Sequence, residues 1–512
     1  TCMALTDVHC TAGGPDFARL ATKYGIRPVL GVDFRKGAQQ RYIGLARDHD
    51  GYENLCNFLS EKLHEGHAGK PRDIPHRAPK LEGVVWVYPW EQRTEHNHWL
   101  GDEALRKDEY VGVRPSELGA LRLDLQREPK RTPHAKMVAL QTATFRHRRD
   151  HNAHRLLRAI DNNSLLVKLE ATQIAPETDR LLRAGDLEGA YAEFPWLIER
   201  ANALLEACHI DFNGDLGDQE DGATHRNIRT FTNSIIEDER LLRDLCAEGI
   251  AYRYPEVNEV ILDRMEHEIE VLREKEFLAY FLVNWDITTY ARSKGYFHVG
   301  RGSGANSLVA YLLRITDVDP IELDLYFERF INLYRSNPPD FDLDFSWTDR
   351  DEVTQYIFDR YDHVALLGAY NTFQYRAVIR ELGKVFGLPK HEIDTLANGQ
   401  FDPAKLGEVE RAVVRYAGVL RDYPNQISIH ACGIVIADRP IHRTCATFLP
   451  PKGFPTTQYD MVVAEDLDLH KFDILSQRGL AKIKDALDLI ARTDPSAQVD
   501  IHDMKRFKAD KR

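Results

Sequence analysis

The chain has 512 residues, of which 43% are hydrophobic and 29% are charged, and its net charge is −13. Such a composition is typical of a folded globular protein with room for roughly three domains of about 150 residues each. The negative charge argues against a protein that coats nucleic acid without selectivity, although Lys and Arg could still line a local basic channel. The apolar runs are shorter than the roughly 18 residues of a membrane span, so we expect a soluble protein with no membrane partner.

The seven cysteines form no C-x-x-C pair and no zinc-like spacing. Reduced thiols in a cytoplasmic protein are the simplest explanation. The chain opens on Thr1 without a secretory signal, which suggests a fragment or a processed protein.

Strand-like and helical segments alternate over the first 90 residues, which indicates an α/β fold. In the first part of the chain, we predict strands at residues 2–6, 27–32, 83–88 and 136–142, and helices at residues 16–24, 151–162 and 176–208. The last of these helices should break at Pro195. Residues 211–224 are acidic and glycine-rich, and we place a domain boundary there. In the second part, we predict helices within residues 237–293, 306–315 and 375–422, and strands at residues 337–345, 432–438 and 469–475.

The predicted strand 337–345 places acidic side chains on one face, because side chains alternate along a strand. Asp340, Asp342 and Asp344 share that face, and apolar residues occupy the other. Two such carboxylates can bridge a pair of metal ions about 3.5–4 Å apart, which is the geometry of phosphoryl-transfer chemistry. An edge strand whose acids discourage pairing explains the pattern equally well at this point.

A glycine-rich loop at residues 298–307 follows a strand-like run and precedes an amphipathic helix. Its glycines let backbone N–H groups approach a phosphate, and the helix N-terminus behind them favours negative charge. Arg301 adds a cation and Ser303 a hydroxyl donor. The loop matches neither a Walker sequence nor a dinucleotide-binding fingerprint, and the alternative is a tight turn before a capped helix.

Lys471 and Asp473 share one face of the predicted strand 469–475. Asp473 could complete a three-carboxylate metal site, with Lys471 holding a phosphate or tuning the acid. The alternative is a surface ion pair worth under about 1 kcal/mol.

Basic residues repeat every four positions at Arg376, Arg380 and Lys384, opposite an apolar face. This helix could track a phosphate backbone, or its charges could simply be solvated.

Five stretches resemble, in order, the DNA polymerase III alpha family of bacterial C-family replicative polymerases. They are residues 300–311 (GRGSGANSLVAY), 315–330 (ITDVDPIELDLYFERF), 339–345 (PDFDLDF), 429–437 (IHACGIVIA) and 471–475 (KFDIL). The sequences of these stretches are most similar to those of the shorter alpha subunits that some bacteria carry.

The resemblance implies a DNA-directed DNA polymerase that adds deoxynucleotides to a primer 3′-hydroxyl by two-metal nucleotidyl transfer in bacterial chromosome replication. The implied catalytic, metal-binding residues are Asp342, Asp344 and Asp473, with Asp340 a spectator, and the implied cofactor is Mg²⁺, as two ions. The implied nucleotide-binding residues are Gly302, Ser303, Arg301 and Lys471, and the DNA-binding residues are Arg376, Arg380 and Lys384. The implied partners are primer-template DNA, deoxynucleoside triphosphates and, for full-length members, the sliding clamp and other replisome subunits.

The implied fold is α/β and α+β multidomain, with a PHP-type (βα) barrel-like domain, a nucleotidyltransferase-like palm and a helical thumb. The expected domains are PHP (1–211), first palm part (212–373), thumb (374–430), second palm part (431–478) and the start of the fingers (479–512), truncated at both ends. Val8, Asp33 and residues 141–145 depart from the metal-bearing PHP pattern. We therefore expect no trinuclear metal cluster and no proofreading exonuclease in that domain.

Two other functions stay open at this point. The chain could be a catalytically silent DNA-binding or scaffolding fragment, or a PHP-type metal-dependent phosphoesterase.

Overall fold

The structure is a computed structural model that describes residues 2–66, 70–90, 105–127, 134–210, 212, 225–327, 331, 341–497 and 499–500. It is a mixed α/β, multidomain protein, as the sequence predicts. The chain divides into two compact units. The first unit comprises Thr1–Phe212, Gly368–Ser428 and His442–Gly453, and the second comprises Asn213–Leu367, Ile429–Ile441 and Phe454–Arg512. Apart from Phe212, the predicted boundary segment 211–224 lies outside the described residues.

The strands, in chain order, are β1 (Cys2–Val8), β2 (Arg27–Lys36), β3 (Gln39–Ala46), β4 (Val84–Pro89), β5 (Glu109–Val113), β6 (Met137–Ala139), β7 (His298–Arg301), β8 (Asp342–Ser346), β9 (Val364–Thr372), β10 (Pro424–Ile436), β11 (Thr447–Phe448), β12 (Thr456–Thr457) and β13 (Lys471–Gln477).

The α-helices are α1 (Gly14–Lys23), α2 (His49–Glu65), α3 (Leu118–Arg127), α4 (Arg148–Asp161), α5 (Ala184–Ala190), α6 (Pro195–Glu206), α7 (Ile235–Arg253), α8 (Glu259–Glu274), α9 (Leu278–Ser293), α10 (Leu308–Leu312), α11 (Arg350–Arg360), α12 (Tyr375–Phe386), α13 (Lys390–Ala397), α14 (Glu408–Leu420), α15 (Met461–Asp466) and α16 (Arg478–Thr493). None of the helices in the described part of the chain is both long and apolar enough to cross a membrane.

A six-stranded mixed sheet in the order β1 to β6 forms the centre of the first unit. The pairs β1–β2, β4–β5 and β5–β6 are parallel, whereas β3 runs antiparallel to both of its neighbours. No strand was predicted at β3, whose polar residues Gln40 and Arg41 are buried.

Helices α12, α13 and α14 share a core with α4 in the first unit. Val378, Leu382 and Val413 are fully buried in that core beside Leu156. The predicted helical region 375–422 contains three helices, and α12 ends at Phe386, before Gly387, whose φ of 77° is left-handed.

Residues 176–208 do not form the predicted helix broken at Pro195. Pro195 instead begins α6. Proline fits at this position because the first backbone N–H of a helix has no acceptor within the helix. Part of the segment before it is extended, since Arg180 forms a bridge with Phe145.

The core of the second unit lies against one face of its sheet. Strand β8 pairs in parallel with β13 and antiparallel with β7, and β13 pairs antiparallel with β10. Leu343, Phe345 and Phe472 on that face are fully buried. The ring of Tyr280 on α9 stacks on Phe472 with the centroids 4.7 Å apart, which fixes the helix against the sheet.

Candidate active site

Acidic side chains meet on adjoining strands of the second unit. Asp342 and Asp344 lie on β8, and the register aligns Asp342 directly with Asp473 on β13. Residues aligned across parallel strands project to the same side, so all three carboxylates lie opposite the apolar core. Their side chains are 19%, 7% and 5% exposed, respectively. Strand β8 has partners on both sides, so the edge-strand alternative is wrong. The strand begins at Asp342, and Asp340 lies outside the described residues.

Arg301 bridges the two acids of β8. It lies opposite Asp342 on the antiparallel strand β7. Its Nε donates to Asp344 Oδ2 at 2.6 Å, and its Nη1 donates to Asp342 Oδ2 at 2.7 Å. The hydrogen bond to Asp344 raises the pKa of Arg301. Arg301 was predicted to bind nucleotide, and here it neutralises the carboxylates while its side chain remains 46% exposed.

Asp473 has one engaged oxygen and one without a partner. The Lys471 ammonium donates to Asp473 Oδ2. Oδ1 is buried and accepts no hydrogen bond within the described part of the chain. The pair is not the surface ion pair of the alternative interpretation, because the Asp473 side chain is only 5% exposed.

The glycine-rich loop runs from β7 into a single 3₁₀ turn before α10. Gly302 has a φ of 92°, which other residues rarely adopt. A Cβ on Gly304 would lie 2.0 Å from Phe341 Cε1, so only glycine fits there. Helix α10 begins at Leu308 and ends at Leu312, and is therefore shorter than the predicted 306–315.

The N-terminus of α10 is occupied by the carboxylate of Glu268 from α8. Leu308 N and Val309 N donate to its two oxygens at 3.0 and 3.1 Å, and Ser307 Oγ donates at 2.8 Å. Arg264 Nε donates to the same group at 2.6 Å. The expectation that this helix N-terminus receives a phosphate is therefore wrong, because a buried side chain already supplies the negative charge. Gly302 and Ser303 precede these amides and stay candidate nucleotide contacts.

The basic residues of α12 lie in the first unit, whereas the carboxylates lie in the second. Arg380 binds Asp394 at 2.7 Å and Lys384 binds Glu381 at 2.8 Å. Arg376 donates to Asn398 Oδ1 at 2.7 Å. All three cations have polar partners, but the exposed ion pairs are weak and can exchange for phosphate contacts.

Comparison with known proteins shows which proteins the chain resembles. Residues 240–476 match the family described as bacterial DNA polymerase III alpha NTPase domain. Across 96% of its length the chain is 28% identical to the DNA polymerase III subunit alpha of Bacillus subtilis (strain 168), covering 47% of that protein. It is 29% identical to the error-prone DNA polymerase of Symbiobacterium thermophilum over 96% of this chain and 50% of that protein. The DNA polymerase III subunit alpha of Halalkalibacterium halodurans is 28% identical, over 99% of this chain and 48% of that protein. The chain is therefore similar to DNA polymerase III alpha proteins over nearly its whole length. It spans about half the length of these curated relatives.

The segment matched to the family contains the three carboxylates, Arg301 and Glu268. Sequence reasoning missed Glu268, whose signal was the Arg264–Glu268 spacing of one helical turn, typical of an ion pair. It also missed Gln477, whose Nε2 donates to Asp344 Oδ1 at 3.3 Å. His430 and Cys432 lie in residues 429–437, one of the stretches that resemble the family, but no role was predicted for them.

Proposed function

We propose that this chain carries the nucleotidyl-transfer centre of a DNA-directed DNA polymerase that adds deoxynucleotides to a primer 3′-hydroxyl in bacterial chromosome replication. The observation that carries the proposal is the register that makes Asp342 and Asp473 direct neighbours, although they are distant in sequence. Asp344 follows Asp342 on the same face, and all three share a segment with the polymerase family. Aligned acids opposite a core favour chemistry over structure, because like charges side by side destabilise a sheet.

The residues present fit Mg²⁺. Carboxylate oxygens are the ligands that this ion prefers. Asp473 Oδ1 is a buried oxygen without a hydrogen-bond donor among the described residues, which suits a cation ligand. We propose that Asp342, Asp344 and Asp473 together hold two ions. When bound, Mg²⁺ would activate the primer 3′-hydroxyl and neutralise the charge of the leaving pyrophosphate.

The cations beside the acids would position the nucleotide. Arg301 is half exposed, so its guanidinium can move from the carboxylates to the triphosphate and bind phosphate oxygens through paired N–H donors. Lys471, beside Asp473, would hold the phosphate of the primer terminus or the nucleotide. Gly302 and Ser303 would supply a backbone amide and a hydroxyl to the triphosphate.

The domains are assigned by the resemblance to the same family. We propose a PHP-type domain (1–211), a palm in two parts (212–373 and 431–478), a thumb (374–430) and the start of the fingers (479–512). In the PHP-type domain the buried Asp33 binds Arg35 with Nη2 and Oδ2 2.7 Å apart. Primer-template DNA would contact α12, and full-length members would also bind the sliding clamp and other replisome subunits.

Primer extension tests the proposed activity. A labelled primer-template, deoxynucleoside triphosphates and Mg²⁺ are incubated with the protein and with Asp342→Asn and Asp344→Asn. We expect extension by the parent protein and a loss of at least about 100-fold in each variant, because each substitution removes a carboxylate that acts in the transition state. Asp359→Asn is the matched control, since this exposed aspartate lies on α11 away from the sheet face.

Extension that survives both substitutions would contradict the assigned site. DNA binding without any extension would favour a DNA-binding or scaffolding fragment. Phosphate release from a phosphoester in the absence of DNA would favour a PHP-type phosphoesterase.

A further inference from the structure

A second set of donor atoms lies beside Asp473 on the neighbouring strand. His430 and Cys432 lie on β10, where Gly433 is aligned with Asp473 of β13. One ring nitrogen of His430, Cys432 Sγ and one carboxylate oxygen of Asp473 all lie within 4.8 Å of one another. His430 Nδ1 and Cys432 Sγ are 3.7 Å apart. A single cation could therefore contact all three side chains after small rotamer adjustments.

Each donor has the chemistry that such a cation needs. Gly433 N donates to His430 Nδ1 at 2.9 Å, so this nitrogen is unprotonated, and a cation bound to it would displace the backbone donor. Lys471 engages Asp473 Oδ2, which leaves the buried Oδ1 for a cation. Cys432 is partly buried beside Asp473, and its sulfur must lose its proton to bind a metal as a thiolate.

We infer that His430, Cys432 and Asp473 form a site for a thiophilic divalent cation such as Zn²⁺. Thiolate and imidazole ligands suit Zn²⁺, whereas Mg²⁺ prefers oxygen alone. Binding forms a sulfur–zinc bond and releases the thiol proton to solvent, and the resulting thiolate and carboxylate balance the two positive charges. Three protein ligands leave the fourth tetrahedral position for water. The sequence shows no zinc-like spacing here because strand pairing, rather than a short sequence motif, brings Asp473 to His430 and Cys432.

Asp473 links this site to the proposed Mg²⁺ site. A Zn²⁺ ion that takes Asp473 Oδ1 removes a ligand from Mg²⁺, so Zn²⁺ should inhibit nucleotidyl transfer and excess Mg²⁺ should relieve the inhibition. This coupling rests on the proposed function. The binding of Zn²⁺ itself does not.

Cobalt(II) substitution tests binding without any assay of activity. The metal-free full chain is titrated with Co²⁺ and then with Zn²⁺, and the absorption of thiolate-bound cobalt is followed. We expect one Co²⁺ per chain with a thiolate-to-cobalt band that Zn²⁺ abolishes. Cys432→Ser should remove the band, and His430→Gln should weaken Zn²⁺ binding by at least about tenfold, the lower end of the effect of losing even an outer-shell partner. Cys2→Ser and Cys10→Ser, at two other partly exposed cysteines, are the matched controls and should retain the band.

Two results would overturn the inference. One is a chain that shows no thiolate-to-cobalt band, and the other is a band or Zn²⁺ affinity unaffected by Cys432→Ser and His430→Gln. In primer extension, Zn²⁺ inhibition should decrease in Cys432→Ser, and equal inhibition of both proteins would contradict the coupling. A chain that binds Zn²⁺ through Cys432 but extends no primer would support the site and contradict only the proposed polymerase activity.

Discussion

Asp33 in the first unit and Asp344 in the second both bind an arginine, but the two arginines differ in their access to solvent. Arg35 and Asp33 have side chains only 9% and 2% exposed, and Gln40 Nε2 also donates to Asp33 Oδ2 at 2.8 Å. Arg301 is 46% exposed and spans two acids. A buried pair cannot separate without leaving a charge in a low-dielectric interior, whereas an exposed guanidinium can exchange its partners for water or phosphate. The first arrangement therefore stabilises a fold, and the second can release its acids to metal ions.

Removal of each arginine should separate the two cases most strongly. Arg35→Met should lower the free energy of unfolding by about 3–5 kcal/mol, because it leaves Asp33 buried without its cation. Arg301→Met should lower it by less, because the Arg301 side chain is 46% exposed and already partly solvated, although Asp344 is only 7% exposed. Urea denaturation of the full chain, followed by circular dichroism, measures both. Equal destabilisation by the two substitutions would remove the distinction.

Glu268 is a buried acid of the second unit that is paired with an arginine, as Asp33 is in the first unit. Glu268→Ala should destabilise the protein by about 3 kcal/mol, because it leaves Arg264 and the first amides of α10 without their acceptor. Glu266→Ala is the matched control, since Glu266 is 50% exposed and pairs with Arg243. The control should cost under about 1 kcal/mol in the same urea experiment. A similar loss in both variants would show that burial of the acid does not decide the effect.

Binding of Mg²⁺ should distinguish Asp344 from Asp33 directly. A ligand present at 100 times its dissociation constant stabilises a folded protein by about 2.7 kcal/mol. We expect Mg²⁺ to raise the thermal unfolding temperature of the parent protein and of Asp33→Asn, and to have much less effect on Asp344→Asn. Arg301→Met should bind Mg²⁺ more tightly, because the competing cation is gone. Calorimetric scans with and without Mg²⁺ provide the measurement, and an undiminished Mg²⁺ shift in Asp344→Asn would contradict the assignment.

The exposed pairs of α12 should give the smallest effect on stability. Arg380→Ala and Lys384→Ala should each change the free energy of unfolding by under about 1 kcal/mol. If α12 contacts a DNA backbone, each should also reduce the slope of log affinity against log salt by about 1. Fluorescence anisotropy with labelled primer-template over a range of salt concentrations measures that slope. An unchanged slope in both variants would exclude phosphate contacts by these two residues.

The parts of the site that could be predicted are those encoded over a few residues. Alternation of side chains indicated strands that carry Asp342, Asp344 and Asp473, and the helical period indicated the buried face of α12. Contacts between distant segments could not be predicted in this way. Arg301 reaches the acids through the β7–β8 register, and Glu268 reaches α10 from another helix. For each of these two residues, several partners of similar chemistry were available, and only the packed fold determines which one is used.

The carboxylate of Glu268 also affects how ready the glycine-rich loop is for a ligand. Because α8 supplies the acceptor for the first amides of α10, the turn before that helix is held in place without any bound anion. The entropic cost of ordering this backbone is then met during folding rather than during nucleotide binding. The loop is therefore a preorganised element, and differences in affinity between nucleotides should arise from the groups around it rather than from its own ordering.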